Sequence, residues 1–225
     1  MGYSRLVRAR RATRPLVWGL AVGLATIAAA CGGGARPSVP RAQAPPPTAS
    51  TQELFEAGRF QDALARAVAA SPASLPARDT FFAAHAAVRL GNDAAAQELF
   101  ARLAGVDPAW QATARLAMAI AGGDAGALDT ARVEAEQYPT HAYAQYELGL
   151  AQLGRGAFAD AAQALDRSTA ADASLAYAYY YAGLAYQRLD RADLMATRFE
   201  TFLRLAPLAP ERAEVQSVMR TLRGP

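Results

Sequence analysis

The chain has no lysine, one cysteine and two histidines. A single cysteine excludes an internal disulfide. His85 and His141 have no partner at metal-ligand spacing, so no metal site can be read from them. With Cys31 as the only thiol there is no Cys/His pair for nucleophilic catalysis. The run Gly122-Gly123-Asp124-Ala125-Gly126 has no lysine beside it and reads as a turn, not a phosphate loop. Glu134 and Glu136 are two apart on a helix and do not face each other. The residues therefore give no catalytic constellation, no cofactor site and no small-molecule substrate, and the expectation is a protein that is not an enzyme. Acid is missing from the start of the chain. Five of the 23 arginines precede residue 31, and all 20 acidic residues follow it. The remainder carries a net charge of −2, which gives no electrostatic case for nucleic acid.

What is present falls into a leader, a tether and a long alanine-rich region. Residues 1–14 hold five arginines, and Leu16 to Ala30 carry no charge. A basic stretch, an apolar stretch and then small residues form the layout of a secretory signal peptide. The apolar part is shorter than the ~20 residues of a lasting membrane span. The run Ala28-Ala29-Ala30-Cys31 resembles the lipobox of bacterial lipoproteins. That resemblance implies removal of 1–30 and acylation of Cys31, with acyl chains such as palmitate. Two or more chains, at roughly 0.8 kcal/mol per buried CH₂, anchor a protein stably. Ordinary cleavage near Ala30 and an uncleaved anchor stay open. Gly32, where an Asp tends to retain such proteins in the inner membrane, points by resemblance to an outer-membrane anchor facing the periplasm. Residues 31–50 then form the lipidated Cys and a Pro/Gly-rich linker, with Pro45-Pro46-Pro47 favouring extended, disordered chain.

Residues 142–175 and 176–209 align at an offset of 34. Leu148-Gly149 meets Ala182-Gly183, and Leu165 meets Phe199. Segment 77–110 supplies Ala84, Gly91, Ala96, Phe100 and Pro108 in the same order. A period of 34 with these residues resembles the tetratricopeptide-repeat (TPR) family, whose pattern is W-x₂-L-G-x₂-Y…A-x₃-F…P. The resemblance implies an all-α, right-handed α-solenoid of helix-turn-helix repeats. Its repeats are 51–76 (partial), 77–110, 111–141 (shortened), 142–175 and 176–209, followed by a capping helix and tail over 210–225. Small residues Ala84, Gly149 and Gly183, with Ala96 and Ala161, allow helices to cross closely. Phe100, Leu165 and Phe199 fill the space between hairpins. Pro108, Pro139 and Pro207 stop the second helices. Val215, Val218, Met219 and Leu222 give the last helix one apolar face, as a terminal cap needs.

Eight of nine tyrosines lie between Tyr138 and Tyr186. In TPR proteins one face of each first helix lines a concave groove. The matching residues are Phe81, His85 and Arg89, then Tyr143, Tyr146 and Leu150, then Tyr177, Tyr180, Leu184 and Arg188. The tyrosine stripes stand at helical spacing and would make an aromatic trough for a protein or peptide. A neighbouring repeat, the tether or a second copy are the other ways to fill it. The resemblance as a whole implies a membrane-anchored interaction scaffold in the bacterial cell envelope, serving an assembly or secretion machine. A recruiter of peptidoglycan-remodelling enzymes is the alternative.

Overall fold

The structure, a computed structural model, describes residues 49–70, 75–123 and 125–222. The leader, Cys31 and the linker up to residue 48 lie outside the described residues. Within them the chain forms α-helices only. These are α1 (Thr51–Glu56), α2 (Phe60–Ala69), α3 (Ala77–Leu90), α4 (Asp93–Ala104), α5 (Pro108–Gly122), α6 (Ala125–Glu136), α7 (Ala142–Arg155), α8 (Phe158–Ala171), α9 (Ala176–Arg188), α10 (Ala192–Leu205) and α11 (Arg212–Leu222).

Local chemistry sets the boundaries. Ser50 and Glu53 form a capping box on α1, which satisfies two of the free amides at a helix start. Asn92 caps α4 and His141 caps α7 through side-chain acceptors. Gly156 ends α7 in the left-handed region, φ 77°. Asp190 takes the same conformation after α9, φ 56°, where the chain has no glycine. The role expected of Pro108 is corrected. It does not stop a helix but opens α5 at its first position, with Asp107 accepting the Trp110 N–H at 2.9 Å. Proline suits that position because its missing N–H would be unpaired there anyway. The third repeat accordingly begins three residues before the expected 111.

The helices pair into antiparallel hairpins, and the crossings are tight at the small residues. A Cβ on Gly149 would stand 2.4 Å from Leu165 Cγ, and one on Gly183 2.5 Å from the Phe199 ring. The two glycines hold equivalent places one hairpin apart. Ala84, Ala96 and Ala161 are buried, as are Phe100, Leu165 and Phe199. The helix α11 lays Val215 and Met219 inward and leaves Leu222 exposed.

The two ends of the array meet. Gly58, at the turn between α1 and α2 (φ 73°), lies so close to Pro210 that a Cβ there would stand 2.5 Å from its Cγ. Gln52 on α1 donates to the Ser174 carbonyl just before α9, at 2.8 Å. Arg89 on α3 pairs with Glu211, at the start of α11, at 2.5 Å. The concave side is thereby closed over, and the largest core cluster runs from Ala49 to Met219.

The inner wall as candidate functional site

Helices α3, α7 and α9 carry the inner wall. Along α7, Tyr143, Tyr146 and Leu150 fall on one face, and along α9 so do Tyr177, Tyr180 and Leu184. The structure brings the expected stripes together. The Phe81 ring lies 4.8 Å from Tyr143 and 5.8 Å from Tyr146, and His85 lies 4.4 Å from Phe81. Tyr177 and Tyr180 both pack on Phe202, at 5.7 and 5.1 Å.

The expectation of an open trough is corrected. Phe81, His85, Tyr143, Tyr146, Leu150, Tyr177 and Tyr180 are all buried within the chain, Tyr146 at 5% exposure and Tyr180 at 9%. One reason lies in α5. Beyond Trp110 the side chains it buries fully in this core are the small Ala114 and Ala117, with Met118 and Ile120 partly buried against it, so rings from α3 and α7 can meet. The other reason is α1, which covers the wall from the front. Leu184 is half-buried. Arg89 is half-buried, its guanidinium 5.0 Å from the Phe60 ring centre. Arg188 stands apart, exposed and stacked over Phe158 at 4.6 Å. Cys31 lies outside the described residues.

Several polar groups in the wall were not singled out from sequence. His85 Nε2 meets Glu147 Oε1 at 2.6 Å, and Glu147 is 1% exposed. The signal for Glu147 was available: it is the only acid in α7, set between Tyr146 and Leu148. Glu211 receives both Arg89 and the Tyr177 hydroxyl, the latter at 2.7 Å. Burial pushes the Tyr177 hydroxyl well above its ordinary range, with the Glu211 charge adding to it. Burial opposes the charge on Arg89, but Tyr181 and Glu211 outweigh it and hold the guanidinium firmly ionised.

The α1 contacts are the most informative. Phe55 sits among Phe82 at 5.6 Å, Tyr177 at 5.3 Å and its own hairpin's Phe60 at 5.4 Å. Gln52 accepts from Arg78 Nε at 2.8 Å and donates to Glu56 at 2.7 Å. The Glu56 carboxyl lies beside the backbone N–H of Ala176, the first residue of α9, which lowers its pKa. Leu175, the N-cap of α9, has no side-chain acceptor to offer. A carboxyl at a helix N-terminus is a favoured arrangement, and here it comes from a residue 120 positions upstream. Burial still pushes the Glu56 carboxyl up to about 7, against the lowering effects of Gln52, Ala176 and Arg78. Thr51 Oγ1 is buried with no hydrogen-bond partner. Three of the six residues in α1 are thus buried polar groups, an unusual share for a core helix.

The similar solved structures are TPR proteins. YrrB, a TPR protein with an unusual peptide-binding site, is 15% identical with a TM-score of 0.44, over 76% of this chain and 88% of YrrB. A mutant of MamA is 19% identical with a TM-score of 0.41, over 73% of this chain and 93% of MamA. No protein-family model and no curated protein matches the sequence. The fold is a TPR-type α-solenoid, as the 34-residue offset between α7 and α9 and their glycine crossings require. Among the described residues no group of three or more His, Cys, Asp or Glu side chains could hold a metal ion.

Proposed function

We propose that the chain is a protein-interaction scaffold of the bacterial cell envelope, anchored through lipid on Cys31 and facing the periplasm at the outer membrane. The leader supports the anchor: a basic start, an uncharged run and the only cysteine at its end. The Pro/Gly-rich composition before Ala49, which is itself buried in the core, suits a tether that gives the helical array reach from the membrane. The observation that carries the scaffold reading is the inner wall, a surface of rings and fixed polar groups built from helices α3, α7 and α9, on which the chain's own α1 is seated. Such a wall holds a helix or peptide by aromatic packing and a few directed hydrogen bonds. Its service is to hold components of an assembly or secretion machine near the membrane.

Mass spectrometry of the mature amino terminus tests the anchor. A diacylated or triacylated Cys31 is expected, and an unmodified terminus elsewhere would remove it. Photo-crosslinking in intact cells tests the scaffold. Discrete crosslinks to envelope assembly proteins are expected. Crosslinks to a wall hydrolase would reassign the protein to recruiting such enzymes.

A further inference from the structure

A short helix can set polar groups against its neighbours in place of apolar ones. Burial of such a group costs free energy unless it is hydrogen-bonded, and Thr51 Oγ1 has no partner. The helix α1 does this with Thr51, Gln52 and Glu56, and it is only six residues long. A helix of that length has little stability of its own. It is joined to α2 through Ala57 and Gly58, where Gly58 makes the turn in the left-handed region, φ 73°. What it covers is specific. The pocket takes one aromatic ring between Phe82 and Tyr177. One turn before the ring, an amide is read by Arg78 and the Ser174 carbonyl. Next to the ring, a carboxyl accepts from that amide and lies at the start of α9.

We propose that α1 is a resident occupant of the inner wall and that a partner protein displaces it with a short helix of the same chemistry: an amide, an aromatic ring three residues on, and a carboxyl directly after. The proposal rests on the interaction-scaffold reading and names the ligand of that wall. Tethered α1 competes at an effective concentration of about millimolar, so a free helix gains entry when α1 is weakened or when it offers further contacts. The groups facing the carboxyl position are Gln52 and Glu53 on α1, Arg78 on α3 and the Ala176 amide on α9.

The test uses the full chain and a labelled peptide spanning residues 49–58. Phe55→Ala in the chain weakens α1 and leaves the wall intact. The variant is expected to bind the peptide at least about tenfold more tightly than the wild-type chain, as release of an intramolecular competitor requires. The peptide should also raise the variant's melting temperature. A peptide carrying Ala in place of Phe55 should do neither. Should Phe55→Ala fail to fold, Gln52→Ala is the gentler variant with the same expectation. Equal binding by wild type and variant, or equal binding of the two peptides, overturns the proposal. Light scattering that shows the variant pairing into dimers would give the wall to a second copy's α1 and also overturn it. These outcomes differ from failure of the scaffold reading, because the probe is the chain's own segment and needs no cellular partner.

Discussion

Gln52 and Ser174 are 122 positions apart in the chain, yet the side-chain amide of one donates to the backbone carbonyl of the other at 2.8 Å. The bond joins the first helix to the turn before the ninth. Around it lie the Glu56 contact with Ala176, the Phe55 ring on Tyr177 and the Arg89–Glu211 pair. The array therefore does not end in two free faces but in one contact between its first and last parts.

The closure has a pH sign. The Glu56 carboxyl is raised from 4.5 to about 7 in the folded chain, chiefly by burial. The folded state thus holds a proton that the unfolded state has released over that interval. Its contribution is fully present below about pH 4.5 and is lost as pH rises through about 7. The size is on the order of 3 kcal/mol at 1.4 kcal/mol per unit. Urea unfolding at pH 5 and pH 8 should show this fall in the wild type and a much smaller one in Glu56→Gln. Equal falls in both chains would remove Glu56 as the cause.

His141 titrates in the opposite sense. Burial holds its pKa below 6.5, with Asp107 opposing, and the neutral ring caps α7 by accepting the Ala144 N–H at 3.2 Å. The stability it provides is present above pH 6.5 and is lost as pH falls through the depressed value. His141→Asn keeps a capping acceptor and should lessen the acid loss. The same urea series read below pH 6.5 decides it, and an unchanged acid limb would refute the assignment.

Helix α7 contains its own control for the crossing argument. Gly149→Ala drives a Cβ into Leu165, whereas Gly154→Ala meets nothing within 4 Å. Overpacking costs about 1–3 kcal/mol, and relieving glycine in an open helix position gains up to about 1 kcal/mol. Thermal melts should move in opposite directions for the two variants. Two stabilised variants would mean that α7 and α8 do not cross at Gly149.

Thr51 Oγ1 is buried and unpaired. Thr51→Val removes the stranded hydroxyl at nearly constant shape and should stabilise the chain by about 1 kcal/mol. A lower melting temperature would indicate a partner for that hydroxyl.

Much of the array was legible in the sequence. Repeated small residues mark the crossings because a Cβ there would strike Leu165 or Phe199, so Gly149 and Gly183 could be read from the 34-residue offset together with the TPR resemblance. The tyrosine stripes could be read from helical period in the same way. The closure could not. It depends on rotations accumulated from hairpin to hairpin, and no local pattern in α1 states that Phe55 will reach Tyr177. The boundary at Pro108 was misplaced because proline both ends helices and begins them, and Asp107 decided between these roles. The wall's closure was not legible because no local pattern shows that the small Ala114 and Ala117 on α5 let rings from α3 and α7 meet, or that α1 covers them.

A double-mutant cycle on Phe55 and Tyr177 tests the meeting of the two ends most directly. Each residue is changed to Ala alone and together, and unfolding free energies are compared. Rings in contact at 5.3 Å predict a coupling of about 0.5–1.5 kcal/mol. Additive effects, with no coupling beyond about 0.3 kcal/mol, would show that α1 and α9 do not touch.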